Sequence, residues 1–268
     1  MLAVSAWYLR KGDHVESFHR TAKIALIVLI PTIVIQLSVG NQLGVIENKY
    51  QPMKIAAAEA QWANCKPCSF SVIQVGGGAN DKTPTEIIPI PHLLSVLATG
   101  TWNGPVTGLD ALQSQYEQKY GPGNYVPDVF IQYWSMRVMA YLASAVLLLA
   151  LWGGWLLYKD RLRNSRLFLL LCVWAVVTPF LMNTAGWLLT ESGRQPWIVQ
   201  GLQKTAVSNS PSVSATEIWI SLAVFVLSYI VLAWADLVLM LRYSRRGMAQ
   251  ADAETAEPAA DAAPALTY

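Results

Sequence analysis

The sequence predicts an all-α integral membrane protein: four transmembrane helices, the end of a truncated helix before them, and one large outer loop. Three observations lead there. Apolar residues make up 54% and charged residues only 13% of the chain, against about 25% charged in ordinary soluble proteins. Several apolar runs reach the roughly 20 residues that a hydrocarbon core requires. Basic residues cluster in alternate connecting segments. The positive mean hydropathy of +0.35 and the 11 Trp exclude a disordered chain, a coiled coil and an ordinary soluble enzyme. A formal charge of +2 is too balanced to argue for nucleic acid.

The elements follow in order. Residues 1–9 are apolar but too few to span, and read as the cytoplasmic end of a truncated transmembrane helix. An interfacial anchor is the alternative. Residues 10–21 form a basic loop and 22–40 the first full span, with Pro31 at its centre. Membrane helices tolerate such a proline when neighbouring groups satisfy the freed carbonyl. A signal peptide over 24–39 is the rival reading, because Ser38 and Gly40 resemble a cleavage site. Residues 41–128 are the outer loop, and 129–158 the second span. Residues 159–166 are a basic loop, and 167–190 the third span, interrupted by Pro179. Residues 191–216 are a second outer loop, 217–241 the last span, and 242–268 a cytoplasmic tail that reads as disordered.

Charge orients the chain. The segments 10–23 and 159–166, with Arg242, Arg245 and Arg246, hold eleven of the 19 basic residues. The positive-inside rule puts these in the cytoplasm and the 41–128 and 191–216 loops outside.

Within the outer loop, Lys54 to Asn64 (KIAAAEAQWAN) reads as a helix, since three consecutive Ala and no Gly or Pro favour it. Lys54 and Glu59 are five apart, which separates their heads by about 140° on a helix. Spacing alone favours a solvated polar face. Cys65 and Cys68 form a C-x-x-C, but Ser69 stands where haem attachment would need His. Nearby ligands for zinc and a βαβ setting for thiol redox chemistry are both missing. In an oxidising compartment a local disulfide leads, with two free thiols as the alternative.

Polar groups at membrane depth are functional candidates. Arg137 stands two residues before Met139. Met139 reads either as a packing residue or as a thioether ligand to haem iron. At the end of the third span, Glu191 and Arg194 lie between Trp187 and Trp197. They read either as an aromatic belt with an interfacial ion pair, or as a carboxylate metal ligand with an arginine for an anionic cofactor group. Asp236 reads as a headgroup-zone residue. His14, His19 and His92 all lie outside the predicted spans.

The segment GWLLTESGRQPW at 186–197 resembles the motif of subunit I of the cytochrome bd-type ubiquinol oxidases, and its GRQPW core is highly specific in a membrane protein. YWSMRVM at 133–139, KIAAAEAQW at 54–62, GNQLG at 40–44 and SVSATEIWISLAVFVLSYIVL at 212–232 resemble further segments of that family, in the family's order. The resemblance covers essentially all of 1–247.

The resemblance implies a terminal respiratory oxidase subunit that oxidises quinol at the outer face of a bacterial cell (inner) membrane. Electrons would pass through a low-spin haem b to a high-spin haem b and haem d, where dioxygen becomes water, and the reaction would contribute to the proton gradient. Met139 would ligate the low-spin haem b iron and Arg137 would favour that haem. Glu191 would ligate one high-spin haem, b or d, with Trp187 and Arg194 lining its pocket. Lys54 and Glu59 would belong to the quinol site on the periplasmic or extracellular loop. Partners would be oxidase subunit II, with or without a small third subunit, besides quinol, dioxygen and membrane lipid, and no nucleic acid. Three features depart from the family pattern. The His ligands of the family's earlier helices have no counterpart here, so the chain resembles the C-terminal part of the subunit. The family's acidic G-D-x-x-G position is Asn41. The Cys65/Cys68 pair has no counterpart. The rival readings are a non-catalytic membrane protein, or an inactive fragment without bound haem.

Overall fold

The computed structural model describes residues 1–260. It divides into two compact units, 1–208 and the part from Asn209 onward, each taken by itself. The first opens with α1 (Leu2–Lys11), which ends at Gly12 in a left-handed conformation (φ 81°) whose N–H donates to Tyr8 O. Glycine adopts that conformation without steric cost, and it closes the helix. After two residues α2 (Val15–Tyr50) begins and runs unbroken through Pro31. The basic segment and the start of the expected outer loop are therefore helical, and only the Gly12–His14 turn interrupts them. Pro31 costs one backbone hydrogen bond, too little to end a helix of 36 residues.

The 41–128 region is built, not open. A short helix α3 (Pro52–Ala58) starts at a proline, the favoured first helical residue. Two small antiparallel pairings follow, β1 (Phe70–Ser71) with β4 (Pro89–Ile90) and β2 (Gln74–Val75) with β3 (Thr85–Glu86). Then come α4 (Leu93–Thr99) and α5 (Leu109–Tyr120). A disulfide joins Cys65 and Cys68. The helix expected over Lys54 to Asn64 stops at Ala58. Ala60 turns left-handed (φ 48°), and Gln61 N–H closes the turn on Ala56 O at 2.8 Å. Local helix propensity yields to tertiary bonds: Trp62 Nε1 donates to Gly77 O at 2.9 Å, and Glu59 is held by Arg137.

Helix α6 (Val129–Tyr158) is capped by Asp128, whose carboxylate accepts from Ile131 N–H at 3.0 Å. Such caps stabilise by roughly 1 kcal/mol. The third apolar segment is composite. Helix α7 (Arg166–Trp174) passes through a tighter turn at Ala175–Val177 into α8 (Thr178–Gly193). Pro179 lies in the first turn of α8, where it disrupts least. A hairpin of β5 (Trp197–Val199) and β6 (Gln203–Lys204) follows. The second unit's helix α9 (Ala215–Ala260) begins with a reciprocal cap, Ser214 Oγ donating to Glu217 Oε2 and receiving Glu217 N–H. It continues past the point where the sequence reading places a disordered tail, through an Ala-rich stretch of high helix propensity. The last eight tail residues, 261–268, lie outside the described residues.

Among the described residues, four helical segments are long and apolar enough to cross a membrane: Val15–Tyr50, Val129–Tyr158, Arg166–Gly193 and Ala215–Tyr243. The fold class is thus the all-α, four-span architecture expected from the sequence. Of the three apolar clusters among the described residues of the first unit, two bear on the helices that frame the site. One gathers Ala6, Leu9, Leu26, Leu156 and Phe168 from α1, α2, α6 and α7. There Gly153 is required, because a Cβ would come within 2.7 Å of Phe168 and 2.8 Å of Leu26. The other lies at the opposite end of α6, where Met53, Trp62, Leu109, Tyr125, Tyr133 and Trp197 pack beneath the long loop.

Candidate functional site

The chemistry concentrates at that second end. Lys54 sits on the buried side of α3 and is 5% exposed. The break at Gln51 turns α3 back along the end of α2, so a residue seven positions earlier meets it. Lys54 Nζ donates to Glu47 Oε1 at 2.7 Å. The stem of Lys54 lies against Gly193, where any Cβ would also collide with Gln132.

Glu59 faces elsewhere. Its two carboxylate oxygens accept from Arg137 Nη1 at 3.1 Å and Nη2 at 2.7 Å. Arg137 is fully buried and also donates to Ala58 O at 2.9 Å and twice to Ser71 O, at 3.1 and 2.5 Å. All five of its donors are used. Its guanidinium lies 4.4 Å from the Phe70 ring centre and 4.0 Å from that of Tyr133, a stacking that favours arginine over lysine. Burial pushes the Glu59 carboxyl above its ordinary value, and the Arg137 guanidinium opposes that without cancelling it. Lys54 and Glu59 therefore do not form a solvated polar face. Both are buried, and each is bound to its own partner, because neighbouring helices supply a counter-charge to each.

Gln132, on α6 and fully buried, ties that helix to the end of α8. Its Nε2 donates to Leu189 O at 2.9 Å and to Ser192 Oγ, while its Oε1 has no partner. Further along the same two helices, Met139 Sδ lies 3.5 Å from where a Cβ on Gly186 would sit. Glu191 Oε2 pairs with Arg194 Nη2 at 2.5 Å, both side chains half-exposed, and Arg194 Nε is buried without a partner. Trp187 is exposed. Trp197 is buried, stacks on Tyr125 with ring centres 5.6 Å apart, and has no partner for its Nε1.

Lys54 and Trp197 border a narrow, tightly packed crevice, lined also by Gln51, Met53, Tyr116, Tyr125, Gly193, Gln195 and Gln200. Lys204 Nζ donates to Tyr125 OH at 2.9 Å, and Gln200 Nε2 donates to Tyr116 OH at 3.0 Å. Burial raises the Tyr116 phenol above its ordinary value, so it stays a neutral hydroxyl. Three aromatic walls, one ammonium and one unpartnered indole N–H suit a flat ring bearing oxygen acceptors.

Among the described residues, no group of three or more His, Cys, Asp or Glu could hold a metal ion. The donors present suit haem differently. The Met139 thioether and the Glu191 carboxylate, on facing helices, are each chemically fit as a single axial ligand. Arg137 has no free donor for a haem propionate, because the long loop takes all of them. Arg194 commits one donor to Glu191, and its buried Nε is among those left over. Sequence reasoning missed Glu47, Gln132, Tyr125 and Lys204. Only Gln132 stood close to a motif in sequence, one position before YWSMRVM. Glu47 shows only as the acidic residue seven places before Lys54.

Residues 1–248 match the family model for cytochrome bd terminal oxidase subunit I. The chain is 37% identical over 246 residues to cytochrome bd ubiquinol oxidase subunit 1 of Bacillus subtilis (strain 168), covering 91% of this chain and 52% of that protein. It is 25% identical over 304 residues to cytochrome bd-II ubiquinol oxidase subunit 1 of Escherichia coli (strain K12), covering 92% and 59% respectively. Among solved structures, the bd oxidase from Geobacillus thermodenitrificans superposes with a TM-score of 0.74 at 27% identity, over 92% of this chain and 54% of that one. The chain spans about half the length of the relatives it matches.

Proposed function

The chain belongs to the cytochrome bd terminal oxidase subunit I family, and from that membership we propose that it supplies the quinol-oxidising part of a haem-containing respiratory oxidase. It would act with the remainder of subunit I and with subunit II, in a bacterial cell membrane with the 41–128 loop on the outer side. The uneven distribution of basic residues supports that orientation. The observation that carries the reading is the crevice with Lys54 at its edge.

Quinol, a flat ring with two hydroxyls, would lie at the mouth of the crevice against the cluster of Tyr116, Tyr125 and Trp197. Trp197 Nε1 would donate to one substrate oxygen, and Lys54 would hold the other. Glu59, clamped by Arg137, would fasten the loop that carries Lys54. Gln132 would fix the end of α8 beside it. Haem iron, when bound, supplies one-electron transfer and the reduction of dioxygen. Met139 would hold the low-spin haem b and Glu191 a high-spin haem, b or d. Arg194 would bring the free Nε of its guanidinium to that haem, and Trp187 an indole wall.

Quinol-dependent oxygen uptake by membranes carrying the oxidase tests this. Lys54→Gln is expected to lower uptake by about tenfold or more, the scale of losing one proton-handling group, with the haem spectrum unchanged. Undiminished uptake would contradict the assignment.

A further inference from the structure

We propose that Glu47 is the positioning residue and proton exit of Lys54, so that the proton leaving quinol passes through Lys54 to Glu47 and not to Glu59. The inference rests on the reading that Lys54 faces quinol, and it adds a residue that neither the motifs nor the family resemblance singles out.

Neither candidate carboxylate lines the crevice itself, and the two differ in their partner and in their exposure. Glu59 has both oxygens committed to Arg137 at 3.1 and 2.7 Å, is 7% exposed, and does not line the crevice. Both of its oxygens are engaged by Arg137, and little of it reaches solvent. Glu47 lies 2.7 Å from Lys54 Nζ, and 30% of its side chain is exposed. It touches the crevice residue on one side and solvent on the other.

The step balances as a proton relay. The Lys54 N–H directed at Glu47 breaks first as its proton passes to Oε1, which frees the Nζ lone pair, and the quinol O–H then breaks as its proton passes to that lone pair. Net, one proton moves from substrate to Glu47, which sheds it to water, and Lys54 ends as it began. A carboxylate also holds the flexible lysine stem in one direction across the helix break at Gln51. The other titratable groups on the crevice, Tyr116 and Tyr125, are hydroxyls occupied by Gln200 and Lys204.

The test uses membranes carrying the complete oxidase, with quinol titrated to saturation. Glu47→Gln is expected to lower kcat by about tenfold or more, with KM changed less than about twofold. Glu47→Asp should recover most of that loss. Glu47→Ala should regain turnover on addition of formate, a response that a packing role does not give. This variant also keeps the test open if Glu47→Gln fails to assemble with haem. Lys54→Gln, run in parallel, separates the two claims. Loss in Lys54→Gln with wild-type kcat in Glu47→Gln, or with no formate rescue of Glu47→Ala, overturns the Glu47 proposal and spares Lys54. Wild-type turnover in both Lys54→Gln and Glu47→Gln overturns both.

Discussion

Two arginine–glutamate pairs in this molecule use the same chemistry to different ends. At the base of the long loop, Arg137 and Glu59 are both buried, and every guanidinium donor and both carboxylate oxygens are taken. At the end of α8, Glu191 and Arg194 are three residues apart, half-exposed and joined by one short contact, with Arg194 Nε left over. The first pair is saturated and can do nothing but hold. The second has spare valence and can change partner. Saturation, more than proximity, separates a fastener from a ligand site.

The sharpest way to break this comparison is Arg137→Ala. It strands a buried carboxylate, which typically costs about 3–5 kcal/mol. Loss of protease resistance across 41–128, with a lowered Tm of the solubilised protein, is the expected outcome. The double variant Arg137→Met with Glu59→Leu should recover much of that, since well-packed apolar replacements of buried pairs are often near neutral. Next in size, Cys65→Ser with Cys68→Ser removes a short cross-link from the same loop. By loop-closure entropy that is worth about 2 kcal/mol, read as a Tm shift under oxidising conditions that vanishes with reductant.

Glu59→Gln sharpens the account through pH. The Glu59 carboxyl is raised above its ordinary value of 4.5 in the fold, chiefly by burial. The folded state therefore binds the proton more tightly than the unfolded chain. That contribution is complete below 4.5 and is lost as pH rises through the folded value. Loop stability should fall with pH across that window, and Glu59→Gln should flatten the fall. The smallest effect on stability belongs to Glu191→Gln. A half-exposed ion pair is worth about 1 kcal/mol or less, yet this variant should remove a high-spin haem band from the optical spectrum. A large stability loss with an intact spectrum would reverse the roles of the two pairs.

The spans were legible in the sequence because their signal is local. An uncharged apolar run of sufficient length has one physical solution in lipid, and α6, α8 and α9 follow from it. The loop was not legible, because its determinants are distant in the chain. The alanine run of 56–58 argues for a helix to Asn64. The turn at Ala60 is set instead by Glu59 reaching α6 and Trp62 reaching Gly77, 78 and 15 residues away. The candidate site was half legible. Lys54, Met139 and Glu191 stood in motifs, whereas Glu47 and Tyr125 join the site only through the folding of α3 against α2 and α5. The helix running to Ala260 enters the stretch where the sequence reading expects a disordered tail, since alanine supports a helix without apolar periodicity.

Haem ligation from α6 and α8 stands or falls with Met139→Leu. Leucine keeps the volume and the packing against Gly186 but removes the sulfur. The reduced-minus-oxidised optical spectrum of membranes carrying the oxidase should lose its low-spin haem b signal while the protein remains in the membrane. A low-spin signal that survives unchanged would make Met139 a packing residue and contradict the ligand assignment.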